Sequence, residues 1–392
     1  MCALALSACH PALPAVDASS AKGAATASNR FGFDLYDKLR ETPGNMIFSP
    51  VSAEIALAMA SAGARGETLD EMARVLHVDQ LGDAHASFGN LLRALNGRNN
   101  DEVTVHLADC LWGEKSVSFH PAFLATLRDA YGSPLVEVDF RQAPDAAGAE
   151  INAWASKETH GRIRDIFGPG SLSPDTDLVL ANAVYFKGAW VRPFAVSATA
   201  DEDFTSPLAK TKVRMMQQDD WFNYARVGHA QIVELPYKGG FSMVVVLPDE
   251  VDGLPSVEGS VRSDYEVWIE KLKRHEVDLK LPQWKTMATY GLVPPLRSLG
   301  MRHAFDAADF SGIGSGPLVI DQVIQKAFVE SNEKGSEAAA VTVITGVEVS
   351  AVYPPPPPPA IFHADHPFLY FIRDPSTGVV LFVGRYVGPE PD

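Results

Sequence analysis

The stretch EKGSEAAAVTVITGVEVSAVYPPPPPPA, residues 333–360, decides how this chain is read. It lies between two strand-like runs, lacks the large apolar anchors of a core element, and ends in six consecutive prolines, Pro354–Pro359. A loop of about twenty-five residues inside a compact domain is uncommon and usually functional or disordered. Closure entropy alone permits a plain exposed linker, because its cost grows slowly with length. The composition points elsewhere. At period two, Ser336, Ala338, Ala340, Thr342 and Ile344 share one face, all uncharged, while Glu337, Ala339, Val341, Val343 and Thr345 share the other. The first face suits burial in a sheet and the second leaves Glu337 in water. An exposed loop therefore carries the sequence of a central strand.

Outward from this loop, the pattern is that of an α+β domain. Phe31, Leu35 and Leu39 recur at helical spacing from about Ser28. Ser49 is a natural N-cap with Pro50 at the first helical position, and the helix that follows is apolar on nearly every face. Thr68-Leu-Asp-Glu71 has the form of a capping box. Further helices are expected over Ala84–Leu95, Pro121–Tyr131, Ala146–Thr159 and Leu292–Leu299. Leu178–Lys187 is β-rich and apolar on both faces, as in a central strand. Val233–Tyr237 with Phe241–Leu247, and Phe368–Arg373 with Val379–Tyr386, read as hairpins, and Val277–Leu281 and Val319–Glu330 as strands. Helices crowd the first half and strands the second, which predicts mainly antiparallel sheets rather than a doubly wound fold.

Composition bounds the partners. Lys plus Arg number 33 against 49 Asp plus Glu, a net charge of −16. Such a surface repels phosphate backbones and argues against nucleic acid and against a heparin-like polyanion cofactor. Arg93 and Arg98 are the nearest approach to a basic patch and read as a solvated helix face. Of the three cysteines, Cys2, Cys9 and Cys110, only the last lies in the body of the chain, so no disulfide is expected there and Cys110 reads as a buried thiol. There is no CxxC or HExxH spacing for a metal, and no GxSxG elbow, Walker loop or GxGxxG fingerprint for an enzyme. No cofactor is expected.

Residues 1–27 differ in texture, running from small apolar residues into an Ala/Ser/Pro stretch with little charge. They read as the end of a secretory signal followed by a flexible tether. Leu6-Ser7-Ala8-Cys9 resembles the bacterial lipobox, in which the cysteine becomes the lipidated first residue of the mature protein. The positive n-region is absent and the apolar segment short, so ordinary secretion stays open beside a membrane tether through Cys9. Either would make the protein extracytoplasmic; a leader that does neither also stays open.

From the end of this leader the chain resembles the serpins, a family of serine protease inhibitors. The resemblance rests on Asn45–Arg65 (NMIFSPVSAEIALAMASAGAR), Asn182–Phe194 (NAVYFKGAWVRPF), Ala308–Ile313 (ADFSGI), Val323–Ala340 (VIQKAFVESNEKGSEAAA) and His366–Gly388 (HPFLYFIRDPSTGVVLFVGRYVG). Separated motifs in the family's order make the match specific. It implies one domain over 28–392 with three β-sheets, eight or nine helices, and a reactive-centre loop over 335–360. It implies a monomer that acts as a suicide substrate: a serine protease acylated by the loop is carried off as the loop inserts into the main sheet. About fourteen residues at ~3.3 Å each would carry it some 45 Å.

The resemblance also assigns residues. The hinge is Glu333, Gly335, Ser336, Glu337, Ala338, Ala339, Ala340 and Thr342, and it brings neither charge nor proline to the inward face. Family spacing puts the scissile bond between Val349 and Ser350, within one residue; Val349 suits the small apolar pocket of elastase-like or subtilisin-like proteases. Tyr353 is a poorer site because Pro354 follows it. Pro354–Pro359 would form a polyproline II rod about 19 Å long, as a spacer or as a docking segment. Two departures stand out. Gln325 occupies the place of a common histidine in the polar cluster beneath the sheet opening, beside Ser49, Ser52 and Asn182, and Gln283 replaces the basic partner of Glu333 near Trp190. The competing reading is a non-inhibitory member of the same fold, used as a binding or chaperone-like protein.

Overall fold

The computed structural model describes residues 16–336 and 358–390. In chain order it begins with α1 (Ala18–Leu39), β1 (Met46–Phe48), α2 (Pro50–Ser61), α3 (Gly66–Val75), α4 (Ala84–Asn96), β2 (Val103–Glu114), α5 (Pro121–Thr126), β3 (Leu135–Val138), α6 (Pro144–Glu158) and β4 (Leu178–Ala189). It continues through β5 (Ala200–Thr205), β6 (Lys210–Val227), β7 (Ala230–Pro236), β8 (Ser242–Pro248), α7 (Leu254–Lys271), β9 (Lys273–Pro282), β10 (Trp284–Gly291), α8 (Val293–Leu299) and α9 (His303–Asp306). The last elements are β11 (Ile320–Ser331), β12 (Gly335–Ser336), β13 (Ala360–His363), β14 (Phe368–Arg373) and β15 (Val380–Tyr386).

One sheet has the order β10-β11-β4-β2-β3, with β12 added on β4. A second network has the order β1-β15-β14-β8-β7-β6-β9-β13, with β5 on β6. The three expected sheets are found with two of them joined. The long β6 pairs with β5 and β9 over its first part and with β7 only from Asn223 onward, so one strand serves two sheets. β4 is central, as its two apolar faces required. Its even-numbered residues, among them Leu178, Leu180, Val184 and Phe186, enter the main core with α1, α2 and the inner hairpins. Val179, Ala181 and Ala183 instead pack on Ile151 and Ala155 of α6.

Four sequence readings need correction. The helix α1 begins ten residues before Ser28, so Ala18–Ala27 is packed structure and not tether. Asp17 caps it by accepting from Ser19 and Ser20 N–H, and Ala21, Ala24, Ala25 and Ala27 are buried. An alanine run reads as a linker, yet its small side chains let α1 lie close to α4, where Ser20 and Ser87 hydroxyls bond at 2.9 Å. Thr68 and Glu71 form no capping box. Thr68 Oγ1 accepts from Asp309 N–H, and the Glu71 carboxylate accepts from the Arg302 and His303 amides, tying α3 to the α9 region. Arg98 is no solvated helix residue, because it pairs with the buried Asp374 at 2.5 Å and lies over the Phe241 ring. The helix expected over Pro121–Tyr131 changes at Leu127 to a π-helical turn that ends on Gly132.

Candidate functional site

The site is a seam. β4 meets β2 antiparallel from Gly188 down to Leu178, but meets β11 in parallel, from Leu178 only as far as Tyr185. A strand that reverses direction after β11 is antiparallel to both β11 and β4, so it fits between them. The chain makes that reversal at once. Asn332 and Gly335 bridge across a tight turn, and Gly335 and Ser336 pair antiparallel with Ala189 and Gly188 of β4. The top of the seam is thus already occupied by the first two residues of the segment that follows.

Gly335 is required there. Its φ is +139°, and a Cβ would stand 2.0 Å from the Gly188 carbonyl oxygen. Ser336 is fully buried, with its Oγ 2.8 Å from the Tyr237 hydroxyl, and the Tyr237 ring stacks on Trp190 at 4.1 Å. Trp190 Nε1 donates to the Asn332 carbonyl at 3.0 Å, and its amide to the Lys334 carbonyl at 2.9 Å. Glu333 has a Thr199 hydroxyl as its donor, at 2.7 Å. Gln283, half-buried, spends its backbone N–H on Arg214 O. The hinge glutamate is therefore satisfied by a neutral hydroxyl where an ion pair would otherwise stand.

Lower in the seam a polar row crosses four strands. Tyr290 of β10, Gln325 of β11, Asn182 of β4 and Asp109 of β2 are successive cross-strand partners. Ser49 and Ser52 come down on them from α2. Gln325 makes two bonds to the Ser49 backbone, accepting from its N–H at 2.7 Å and donating to its carbonyl at 2.9 Å. Glutamine can do both at once, which is why it can stand at this place. Ser49 Oγ caps α2 at Ser52 N–H. Asp109 Oδ1 accepts from the Ser52 hydroxyl and from Asn182 Nδ2, the latter at 2.8 Å. Ser49, Ser52, Asn182 and Gln325 are thus linked through Ser49 and Asp109.

Asp109 was missed, because Val103–Glu114 was not recognised as a strand. The alternation in VTVHLADC was the available signal. Burial pushes its carboxyl up to about 7, against the bonds from Ser52 and Asn182 that favour the ionised form. Its neighbour Cys110 is a buried thiol on the opposite face, pushed up to about 12 by burial and then by Asp109 and Glu158.

Hinge residues Glu337, Ala338, Ala339, Ala340 and Thr342, the Val349-Ser350 bond and Cys9 lie outside the described residues. Among the described residues no cluster of His, Cys, Asp or Glu is arranged to hold a metal, and no helix is long and apolar enough to cross a membrane.

The profile of the family described as "Serpin (serine protease inhibitor)" matches residues 26–389. A leukocyte elastase inhibitor of Xenopus tropicalis is 39% identical over 378 residues, covering 93% of this chain and 99% of its own. Serpin48, described as a highly specific serpin of the insect Tenebrio molitor, superposes with a TM-score of 0.82 at 33% identity, over 93% of this chain and 97% of its own. Uncleaved ovalbumin superposes with a TM-score of 0.83 at 30% identity, over 93% and 100%. Fold, seam and sequence agree: this chain belongs to the serpin family of serine protease inhibitors.

Proposed function

We propose that the chain inhibits an elastase-like or subtilisin-like serine protease as a suicide substrate, cleaved at Val349-Ser350 and sealed by insertion of its own loop between β4 and β11. The observation that carries this reading is the parallel β4/β11 seam with Gly335 and Ser336 already paired antiparallel at its top. Continuing that register brings Ala338 opposite Phe186, Ala340 opposite Val184 and Thr342 opposite Asn182, on the face where Ser336 is buried. The small uncharged residues of the loop fit that face. The position of Thr342 sets a hydroxyl beside the polar row. About ten further residues, at roughly 1 kcal/mol net per ladder bond, give on the order of 10 kcal/mol of driving force before burial is counted. That force competes with deacylation of the protease, so insertion speed decides the outcome.

The name of the Xenopus tropicalis relative, a leukocyte elastase inhibitor, supports a target with a small apolar pocket. The partner is a covalently held protease, the inhibitor acts as a monomer, and the protein works outside the cytoplasm, secreted or tethered through Cys9. Incubation with pancreatic elastase or subtilisin tests this. The expected result is an SDS-resistant band heavier by the protease's mass. Cleavage of the loop without such a band would sink the inhibitory reading in favour of a non-inhibitory role.

A further inference from the structure

The parallel pairing of β4 with β11 ends at Tyr185 and Phe328. Continued for two residues, it would set Lys187 beside Glu330 on the face of the sheet where Ala181 and Ala183 pack against α6. The two side chains make no ion pair there, and neither has a hydrogen-bond or ion-pair partner among the described residues. The strands have parted at this level, and the parting leaves a cleft of about 550 Å³ lined by Tyr185, Lys187 and Glu330. Thr104 of β2 and Asn332, just past β11, close its sides, and the connector after α6 adds His160 and Arg162.

Unused polar chemistry surrounds this cleft. Tyr185 is 4% exposed, yet its hydroxyl has no partner among the described residues. The Thr104 hydroxyl and the His160 ring are equally unengaged, and Asn332 uses its Oδ1 on the Lys334 N–H while its Nδ2 bonds to nothing. Polar groups inside a protein are ordinarily matched, so a set left unmatched around one space points to a ligand. The way His160 is held is a second, independent sign. Its φ is +50°, and among the described residues only one other non-glycine, His77, lies in the left-handed region. With Gly161 at φ +78°, it turns the chain back so that the amides of residues 159–161 bond to the Ala155, Lys157 and Ser156 carbonyls. The end of α6 is thereby capped, which keeps those carbonyls from turning the cleft against anions. Glu158, in the last turn, is taken by His106 at 3.0 Å. Two full cations, Lys187 and Arg162, and an imidazole therefore meet one carboxylate, in a chain whose net charge is −16.

We propose that this cleft binds a small anion that carries hydroxyl groups, a phosphate ester or a hydroxycarboxylate. Lys187 and His160 hold the charge, Tyr185, Thr104 and Asn332 donate hydrogen bonds, and Glu330 accepts from a ligand hydroxyl. The volume falls in the range of small-molecule sites. Such a ligand touches β4, the end of β11 and the α6 connector at once. It therefore ties together the two strands between which the loop is proposed to enter, and binding slows insertion. That consequence rests on the reading of the seam as the loop's acceptor; the binding itself does not.

The test titrates the intact full chain with glycerol 2-phosphate, and separately with citrate, by calorimetry at constant ionic strength. Saturable binding to one site is expected, and the tighter probe tells a phosphate ester from a hydroxycarboxylate. Lys187→Gln should weaken it about tenfold, and Lys187→Arg should keep it. His160→Asn retains a residue that tolerates the left-handed backbone and should weaken binding about threefold; it carries the test alone if Lys187→Gln fails to fold. No saturable binding of either probe, or binding that these variants leave unchanged, overturns the site. With saturating glycerol 2-phosphate, formation of the SDS-resistant elastase complex should slow several-fold in the wild type and not in Lys187→Gln. Binding with an unchanged rate of complex formation overturns the effect on insertion and leaves the site standing. If no complex forms with or without glycerol 2-phosphate, the inhibitory reading fails while the titration still decides the site.

Discussion

The two edges of β4 carry nearly the same residues and lead opposite lives. Toward β2 the pairing is antiparallel and runs from Gly188 to Leu178 without a register shift. Toward β11 it is parallel, with a register shift between Ile320 and Gln322, and it stops at Tyr185. Above that point the edge belongs to Gly335 and Ser336. The comparison teaches that the entry point of the proposed insertion is set by strand topology more than by weak side chains. Residues on both edges are buried, but only the edge toward β11 ends in a strand, β12, whose direction the proposed insertion would continue.

The largest way to break that asymmetry is to spoil the entering strand. Thr342→Arg would place a cation opposite Asn182 on the face where Ser336 is buried, with β4 between it and Asp109 of β2. Burial of an unpaired charge costs several kcal/mol, so insertion is expected to slow by about a hundredfold or more. The readout is the stoichiometry of inhibition, which should rise as inhibitor becomes substrate; an unchanged value would refute the assignment of Thr342 to the inward face.

A smaller effect is expected at the turn itself. Gly335→Val puts a β-branched side chain at φ +139° and against the Gly188 carbonyl, which costs about 1–3 kcal/mol wherever the β12/β4 pairing is kept. Amide exchange at Trp190, whose N–H is bonded to the Lys334 carbonyl, should accelerate while exchange in the β2/β4 ladder does not.

The smallest effect sharpens the comparison from below. Gln325→Leu removes the acceptor of the buried Ser49 N–H, while the Ser49 carbonyl keeps its bond from Ala53 N–H. One orphaned buried donor costs about 1–3 kcal/mol, partly offset by the added apolar volume. Urea unfolding should show a lower midpoint with an unchanged slope.

How much of this was legible in the sequence depended on whether a segment's signal was local. β4 was readable because LVLANAVYF is apolar at odd and even positions alike, and the α2 start because Ser49 and Pro50 stand side by side. The Asn182, Ser49, Ser52 and Gln325 cluster was readable through the family resemblance. What failed was information held by partners far away in sequence. Thr68 and Glu71 satisfy a local capping pattern but are used by Asp309, Arg302 and His303. Ala18–Ala27 looks like a tether until α4 is placed beside it. Asp109 drew no attention because its strand went unrecognised, and only the register β2/β4/β11 shows it sharing a row with Asn182 and Gln325. Strand direction in the seam, on which the whole account turns, has no local signature.

The most direct test of the seam is therefore to cut the loop and heat the protein. After cleavage near Val349 by elastase or subtilisin, the freed segment should enter between β4 and β11. At roughly 1 kcal/mol per new ladder bond the unfolding temperature should rise by about 10 °C or more. New amide protection should then appear along the edges of β4 and β11 that face each other. A cleaved protein that melts at or below the temperature of the intact one, with no gain of protection there, would contradict the account.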